Sequence, residues 1–186
     1  MKLLARNALC TLLLAAAPLA RAEAPGLAWR EWDPGLEEAR REDRLVLVDV
    51  YTDWCGWCKR MDRDVYSRPE VRAYLDRNFV AVKLDAGASK PGRYEGRSFT
   101  FRSLAARLGV TGYPTTVFLR PGGEYITRVP GYVPAERFLQ VLRYVGEGHL
   151  DRGVSFEEFT APCAQHAGCK HHDVLLIGVS SRESPF

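Results

Sequence analysis

The chain has 186 residues, 46% hydrophobic and 26% charged, with 26 Lys and Arg against 23 Asp and Glu. That length suffices for one domain with a sizeable core. The excess of base vanishes once residues 1–22 are set aside, because Lys2, Arg6 and Arg21 lie there and no acid does. Net basicity is thereby excluded as a ground for binding nucleic acid or an anionic membrane.

Residues 1–22 read as a leader. Lys2 and Arg6 form a positive start, Ala8 to Ala17 is apolar but for Thr11, and Ala20-Arg21-Ala22 has the small-x-small form of a cleavage site. A retained anchor is the alternative, although the stretch is short for a transmembrane span. Cys10 would leave with the leader, and no second segment approaches spanning length. The expected mature protein is exported, soluble and not membrane-inserted, in an oxidising compartment where disulfides persist.

Residues 23–33 are an approach segment carrying Trp29 and Trp32. Asp33 is placed to cap a helix, with Pro34 at its first position and an end near Glu42. Leu45 to Val50 is an apolar, β-branched run typical of a strand buried on both faces. A helical stretch runs from Lys59, and Ser67-Arg68-Pro69-Glu70 starts another through about Asn78. Phe79 to Leu84 is a second central strand. Asp85 to Arg97 is polar, with Gly87, Pro91, Gly92 and Gly96, and reads as a loop. A helix from Phe101 to Leu108 stops at Gly109, where a C-terminal cap favours glycine. Thr115 to Arg120 and Glu124 to Val129 form a hairpin around Pro121-Gly122-Gly123. After Gly131, Pro134 to about Gly146 is an amphipathic helix with Phe138, Val141, Leu142 and Val145 on its apolar side. This order implies a small α/β sandwich with parallel central strands and a hairpin edge.

The chemistry is concentrated in Tyr51-Thr52-Asp53-Trp54-Cys55-Gly56-Trp57-Cys58-Lys59, between the first strand and the helix that follows. Two thiols three positions apart at a helix start share a face, about 5–6 Å apart. A disulfide prefers that separation, so the pair opens and closes with little backbone movement. The helix dipole favours thiolate at Cys55, the first of the two. Two ordinary buried cysteines, or half of a zinc site, are the bland alternatives; the strand–CxxC–helix context favours a redox centre.

From Leu36 to Glu147 the residues resemble the thioredoxin superfamily. Gly112-Tyr113-Pro114-Thr115 is similar to its cis-proline segment, Asp49 stands where thioredoxins keep a buried acid, Lys83 matches that acid's partner, and Trp54 matches the tryptophan before the first cysteine. Asp-Trp-Cys-x-x-Cys-Lys and the Ser-x-Pro-Glu-Val after it look most like exported bacterial members. These include the C-terminal domain of the membrane electron transporter for periplasmic thiols and thioredoxin-related proteins of sulfur-oxidation systems.

The resemblance implies an α/β thioredoxin-like three-layer sandwich over residues 23–150, with a central mixed sheet, a C-terminal β-hairpin and a closing helix. It implies a thiol–disulfide oxidoreductase that needs no cofactor, reduces disulfides in exported client proteins and draws electrons from a membrane donor of the thiol:disulfide interchange type. A disulfide oxidant or isomerase is the competing enzyme, and a metal-handling or partner-binding scaffold the competing class. By the same resemblance Cys55 is an exposed nucleophile and Cys58 the buried resolving thiol. Asp49 accepts the Cys58 proton, with a plain Asp49–Lys83 ion pair as the alternative. Pro114 is cis, and Trp54 and Tyr113 face substrate, Trp54 with packing as its other reading. Gly56-Trp57 departs from the Gly-Pro of thioredoxins, and Tyr113 is bulkier than the residue usual before the cis-proline.

Residues 151–186 are a C-terminal tail. In it Ser155-Phe156-Glu157-Glu158-Phe159 still resembles the tail of stand-alone exported members, and the chain departs from the pattern from Ala161. Cys163, His166, Cys169 and His171 have the composition of a metal site, but a Cys163–Cys169 disulfide or incidental thiols fit as well.

Overall fold

A computed structural model describes residues 26–161. A four-stranded mixed sheet is ordered β2-β1-β5-β6, where β1 is Leu45–Tyr51, β2 Phe79–Asp85, β5 Thr115–Leu119 and β6 Tyr125–Pro130. The two apolar runs pair in parallel, and β5 lies antiparallel to both β1 and β6. On the free edge of β2, the Arg30 N–H donates to the Ala81 carbonyl at 2.8 Å and the Arg30 carbonyl accepts from the Lys83 N–H at 3.0 Å. The approach segment thus covers that edge, which would otherwise be open to other chains.

Strand alternation divides the core in two. Val46, Val48 and Val50 point to one face, packed with Trp32, Leu36 and Ala39 of α1 (Trp32–Glu42) and Phe101, Leu104 and Ala105 of α4 (Phe101–Arg107). Leu47 points to the other, among Met61 of α2 (Gly56–Met61), Leu75 of α3 (Pro69–Asn78) and Phe138 and Leu142 of α5 (Ala135–Gly146). Asp49 follows Leu47 by two residues and so shares the face covered by α2. One π-helical turn, Asp62–Tyr66, continues α2 and delivers Val65 and Tyr66 to that core.

Two local expectations are corrected. Residues 85–97 are not all loop, because Pro91–Tyr94 (β3) and Arg97–Thr100 (β4) form an antiparallel hairpin. Its two-residue turn holds Glu95 at φ 48° and Gly96 at φ 74°, both left-handed as a tight hairpin requires. Gly92 permits it to pack, since a Cβ there would meet Trp32 Cδ1 at 2.9 Å. Asp33 does not cap α1, which begins at Trp32 with Glu31 before it and no side-chain cap. Burial of Trp32 draws the helix start inward: the indole N–H donates to the Arg93 carbonyl at 2.9 Å, and Asp33 Oδ1 accepts from the Arg93 N–H at 2.9 Å.

Residues 151–161 pack back on the domain. The short helix α6 (Phe156–Thr160) sets Phe156 and Phe159 against Tyr144, with ring centroids at 5.2 and 5.5 Å, and Phe159 lies 4.5 Å from His149. The Tyr144 hydroxyl donates to the Val154 carbonyl at 2.6 Å. The leader and Cys163, His166, Cys169 and His171 lie outside the described residues. Among the described residues no helix is long and apolar enough to cross a membrane, and no cluster of three or more His, Cys, Asp or Glu is placed to hold a metal.

Candidate redox site

The end of β1 carries the chain to the head of α2, where Cys55 and Cys58 are joined as a disulfide with Cα atoms 5.3 Å apart. Cys55 takes the N-cap position that a serine or aspartate usually fills, and its sulfur accepts the Cys58 N–H at 3.0 Å. The same donor would stabilise a thiolate on Cys55 once the bond is opened. The Cys55 N–H in turn donates to the carbonyl of the buried Thr52 at 3.1 Å. Cys55 is not the exposed thiol that was expected. It is 5% accessible and Cys58 2%, because the Cys55 sulfur turns inward to its partner and to the helix N–H.

Asp49 lies beneath this turn at 1% accessibility, with Oδ2 2.5 Å from Lys83 Nζ. Parallel register sets Asp49 beside Lys83, and antiparallel register sets it beside Thr116. Its second oxygen, Oδ1, is buried with no hydrogen-bond partner. Burial pushes the carboxyl above its usual range. The Lys83 cation pulls it back without overcoming burial, and the charge of Asp62 adds to the rise. The buried acid is therefore suited to hold a proton.

Lys83 has a second carboxylate, Asp62 Oδ1 at 2.6 Å, and sits 4.6 Å from the Trp29 ring centre and 4.9 Å from that of Tyr51. Burial lowers its ammonium, but the two carboxylates outweigh this and hold its pKa above the ordinary lysine value. Tyr66, pushed well up by burial first and by Asp49 next, stays a neutral phenol, its hydroxyl 3.4 Å from Thr116 Oγ1. Sequence reasoning missed Asp62, Tyr66 and Trp29. The one available signal was the spacing of Asp62, a helical turn beyond Cys58.

The Tyr113–Pro114 bond is cis. Strand β5 starts at the next residue, and Val50 pairs with Thr115, so Pro114 stands at the end of β1 that leads into the cysteines. The Pro114 carbonyl accepts from the Gly131 N–H at 2.8 Å, tying this corner to the β6–α5 loop. Trp54 is 76% exposed and meets Tyr113 edge-on at 5.9 Å. The structure thus brings Trp54 against the half-buried Tyr113, with Pro114, itself buried, next in the chain.

This fold, with a paired dithiol at a helix head, defines a class: a thioredoxin-like domain whose two cysteines can open and close as a disulfide. Residues 32–146 match the thioredoxin-like domain family, and the chain belongs to it. A curated relative is the thiol:disulfide interchange protein DsbD 1 of Pseudomonas aeruginosa, 34% identical over 113 residues. That match takes 60% of this chain but only 18% of the relative's length. Among solved structures, a thioredoxin-fold protein from Helicobacter pylori aligns with a TM-score of 0.57 at 26% identity, covering 64% of this chain and 79% of that one. A putative disulphide-isomerase from Bacteroides thetaiotaomicron aligns with a TM-score of 0.52 at 35% identity, covering 66% and 95%.

Proposed function

We propose that the protein is exported and reduces disulfides in exported client proteins, with a membrane thiol:disulfide interchange protein as its electron donor. The observation that carries the mechanism is the Cys55–Cys58 disulfide at the head of α2. The buried Asp49, whose carboxyl burial pushes up, supports its role as proton acceptor. In the reduced protein the Cys55 thiolate attacks one sulfur of a client disulfide. A mixed disulfide forms, and the client's other sulfur leaves as thiolate and takes a proton. Cys58 then gives its proton to Asp49 and attacks the Cys55 sulfur, releasing the second client thiolate, which takes up a proton as Asp49 gives its own up. The client gains two electrons and two protons, and the protein is left with the Cys55–Cys58 disulfide, which a donor dithiol must reopen. Trp54 and Tyr113 form the surface on which the client lies, with the buried cis-Pro114 setting the backbone beside them.

The similarity to a thiol:disulfide interchange protein supports disulfide exchange, and residues 1–22 support export. Isomerisation is the second reading, favoured by the likeness to a putative disulphide-isomerase. An equilibrium titration of the dithiol against glutathione tests the reductive direction. A potential of about −230 mV or lower supports a reductase, whereas about −120 mV, that of a strong disulfide donor, removes the proposal. Trapping tests the residue roles. Cys58→Ser should accumulate mixed disulfides with clients because the intermediate cannot collapse, while Cys55→Ser should trap almost none. Equal trapping by the two variants would reject the assignment.

A further inference from the structure

On the α2 side of the disulfide, Trp57, Arg60 and Tyr132 form a cation–aromatic cluster that the exchange chemistry does not use. Trp57 and Arg60 are three residues apart on α2 and share a face, while Tyr132 comes from the loop between β6 and α5. The Trp57 and Tyr132 ring centres are 5.5 Å apart. The Arg60 guanidinium carbon lies 5.1 Å from the first ring and 5.3 Å from the second. Trp57 is nevertheless 54% exposed, leaving a large apolar face in water beside the reacting bond.

The charge around this unit is unbalanced. Asp62 is engaged by Lys83. Asp64 is shared between Arg60 Nε at 3.2 Å and Arg63 Nε at 2.8 Å, and exposed Lys59 adds a further cation. The Nη pair of Arg60 has no partner among the described residues. On the opposite flank, beside Trp54 and Tyr113, the exposed charge in the same loop is the acid Asp53. The two flanks of the disulfide therefore present opposite charges.

We propose that Arg60, flanked by Trp57 and Tyr132, is a specificity residue that binds an Asp or Glu side chain of the client close to the attacked cystine. The proposal rests on the oxidoreductase reading and names its substrate class. A guanidinium fork matches a carboxylate, and two rings within 5.1 and 5.3 Å of it restrict its motion and so reduce the ordering needed on binding. Tryptophan, tyrosine and arginine are also the side chains that dominate binding energy at protein interfaces. Arg60 is five residues beyond Cys55, about 7.5 Å along a helix, which an extended client spans in about two residues.

The test uses reduced full-length protein and peptides with one intramolecular disulfide, identical except for Glu, Gln or Lys two residues before or after a cysteine. Wild type should reduce the Glu peptide in one of these positions with kcat/KM about tenfold above the Gln peptide, and the Lys peptide more slowly still. Arg60→Gln should bring the Glu-to-Gln ratio near one, and Arg60→Glu should invert it in favour of Lys. Arg60→Lys keeps the charge but not the flat fork and should retain only part of the preference. Equal rates for all peptides with wild type would overturn the specificity proposal while leaving the oxidoreductase reading intact. Failure to reduce any of them would overturn that reading itself. A preference that Arg60→Gln leaves unchanged, or one confined to glutathione disulfide, would also overturn the proposal.

Discussion

Asp49→Asn offers the sharpest test of the buried acid, because its effects on stability and on chemistry have opposite signs. In the folded protein the Asp49 carboxyl titrates above 3.8, its ordinary value, chiefly through burial. Between 3.8 and the raised value the native state binds more protons than the unfolded state, so stability falls as pH rises through that window. Below it, both states are protonated and the contribution is fully present. Asparagine lacks this titration. Nor does it strand the lysine, since Lys83 keeps Asp62 at 2.6 Å. What the substitution relieves is the burial of a carboxylate charge, which costs about 1–3 kcal/mol or more. Oxidised Asp49→Asn should therefore melt roughly 3–12 °C above wild type at pH 8, and the gap should close as pH falls towards 3.8. The measurement is a pair of melting curves across that range. At neutral pH the same variant should resolve a mixed disulfide up to 10²–10⁴-fold more slowly, read as the lifetime of the trapped complex. A wild type more stable than the variant at pH 8, by a margin that grows with pH, would refute the reasoning. It would make Asp49 a net stabilising partner of Lys83 rather than an acid poised to take a proton.

Three further outcomes follow from the packing. Lys83→Met leaves Asp49 buried without its cation and should cost about 3–5 kcal/mol in denaturant unfolding at neutral pH, most of it recovered by adding Asp49→Asn. Gly35→Ala would put a Cβ 2.4 Å from Val82 Cγ2 and 3.1 Å from Arg30 Cβ, so a loss of about 1–3 kcal/mol is expected where α1 crosses β2. Phe156→Ala and Phe159→Ala should each cost roughly 1–3 kcal/mol without slowing disulfide exchange, and a melting temperature unchanged in both would mean that α6 is not docked in solution.

What the amino-acid sequence determined by itself is local in origin. Leu45 to Val50 and Phe79 to Leu84 are legible as buried strands because an unbroken β-branched apolar run suits a strand covered on both faces. Gly109 could be read as a helix stop because its φ of 75° suits glycine, and Cys55 and Cys58 as a redox pair because one helical turn sets their spacing. The resemblance added Asp49, Lys83 and Pro114, and the structure brings Asp49 and Lys83 into contact and makes the Tyr113–Pro114 bond cis.

Tertiary structure decided the rest, wherever a contact joins residues far apart in the chain. Trp32 moves the start of α1 because its indole N–H and the Asp33 carboxylate both find the backbone of Arg93. Asp62 joins Asp49 only through Lys83, 21 residues from the first and 34 from the second. Tyr132 meets Trp57 and Arg60 because the β6–α5 loop passes beside the head of α2. Cys55 is covered because its sulfur has two partners that turn it inward. Periodicity and capping report each segment's own preferences, whereas these groups are set by which desolvated charges and rings the closed sheet brings within reach.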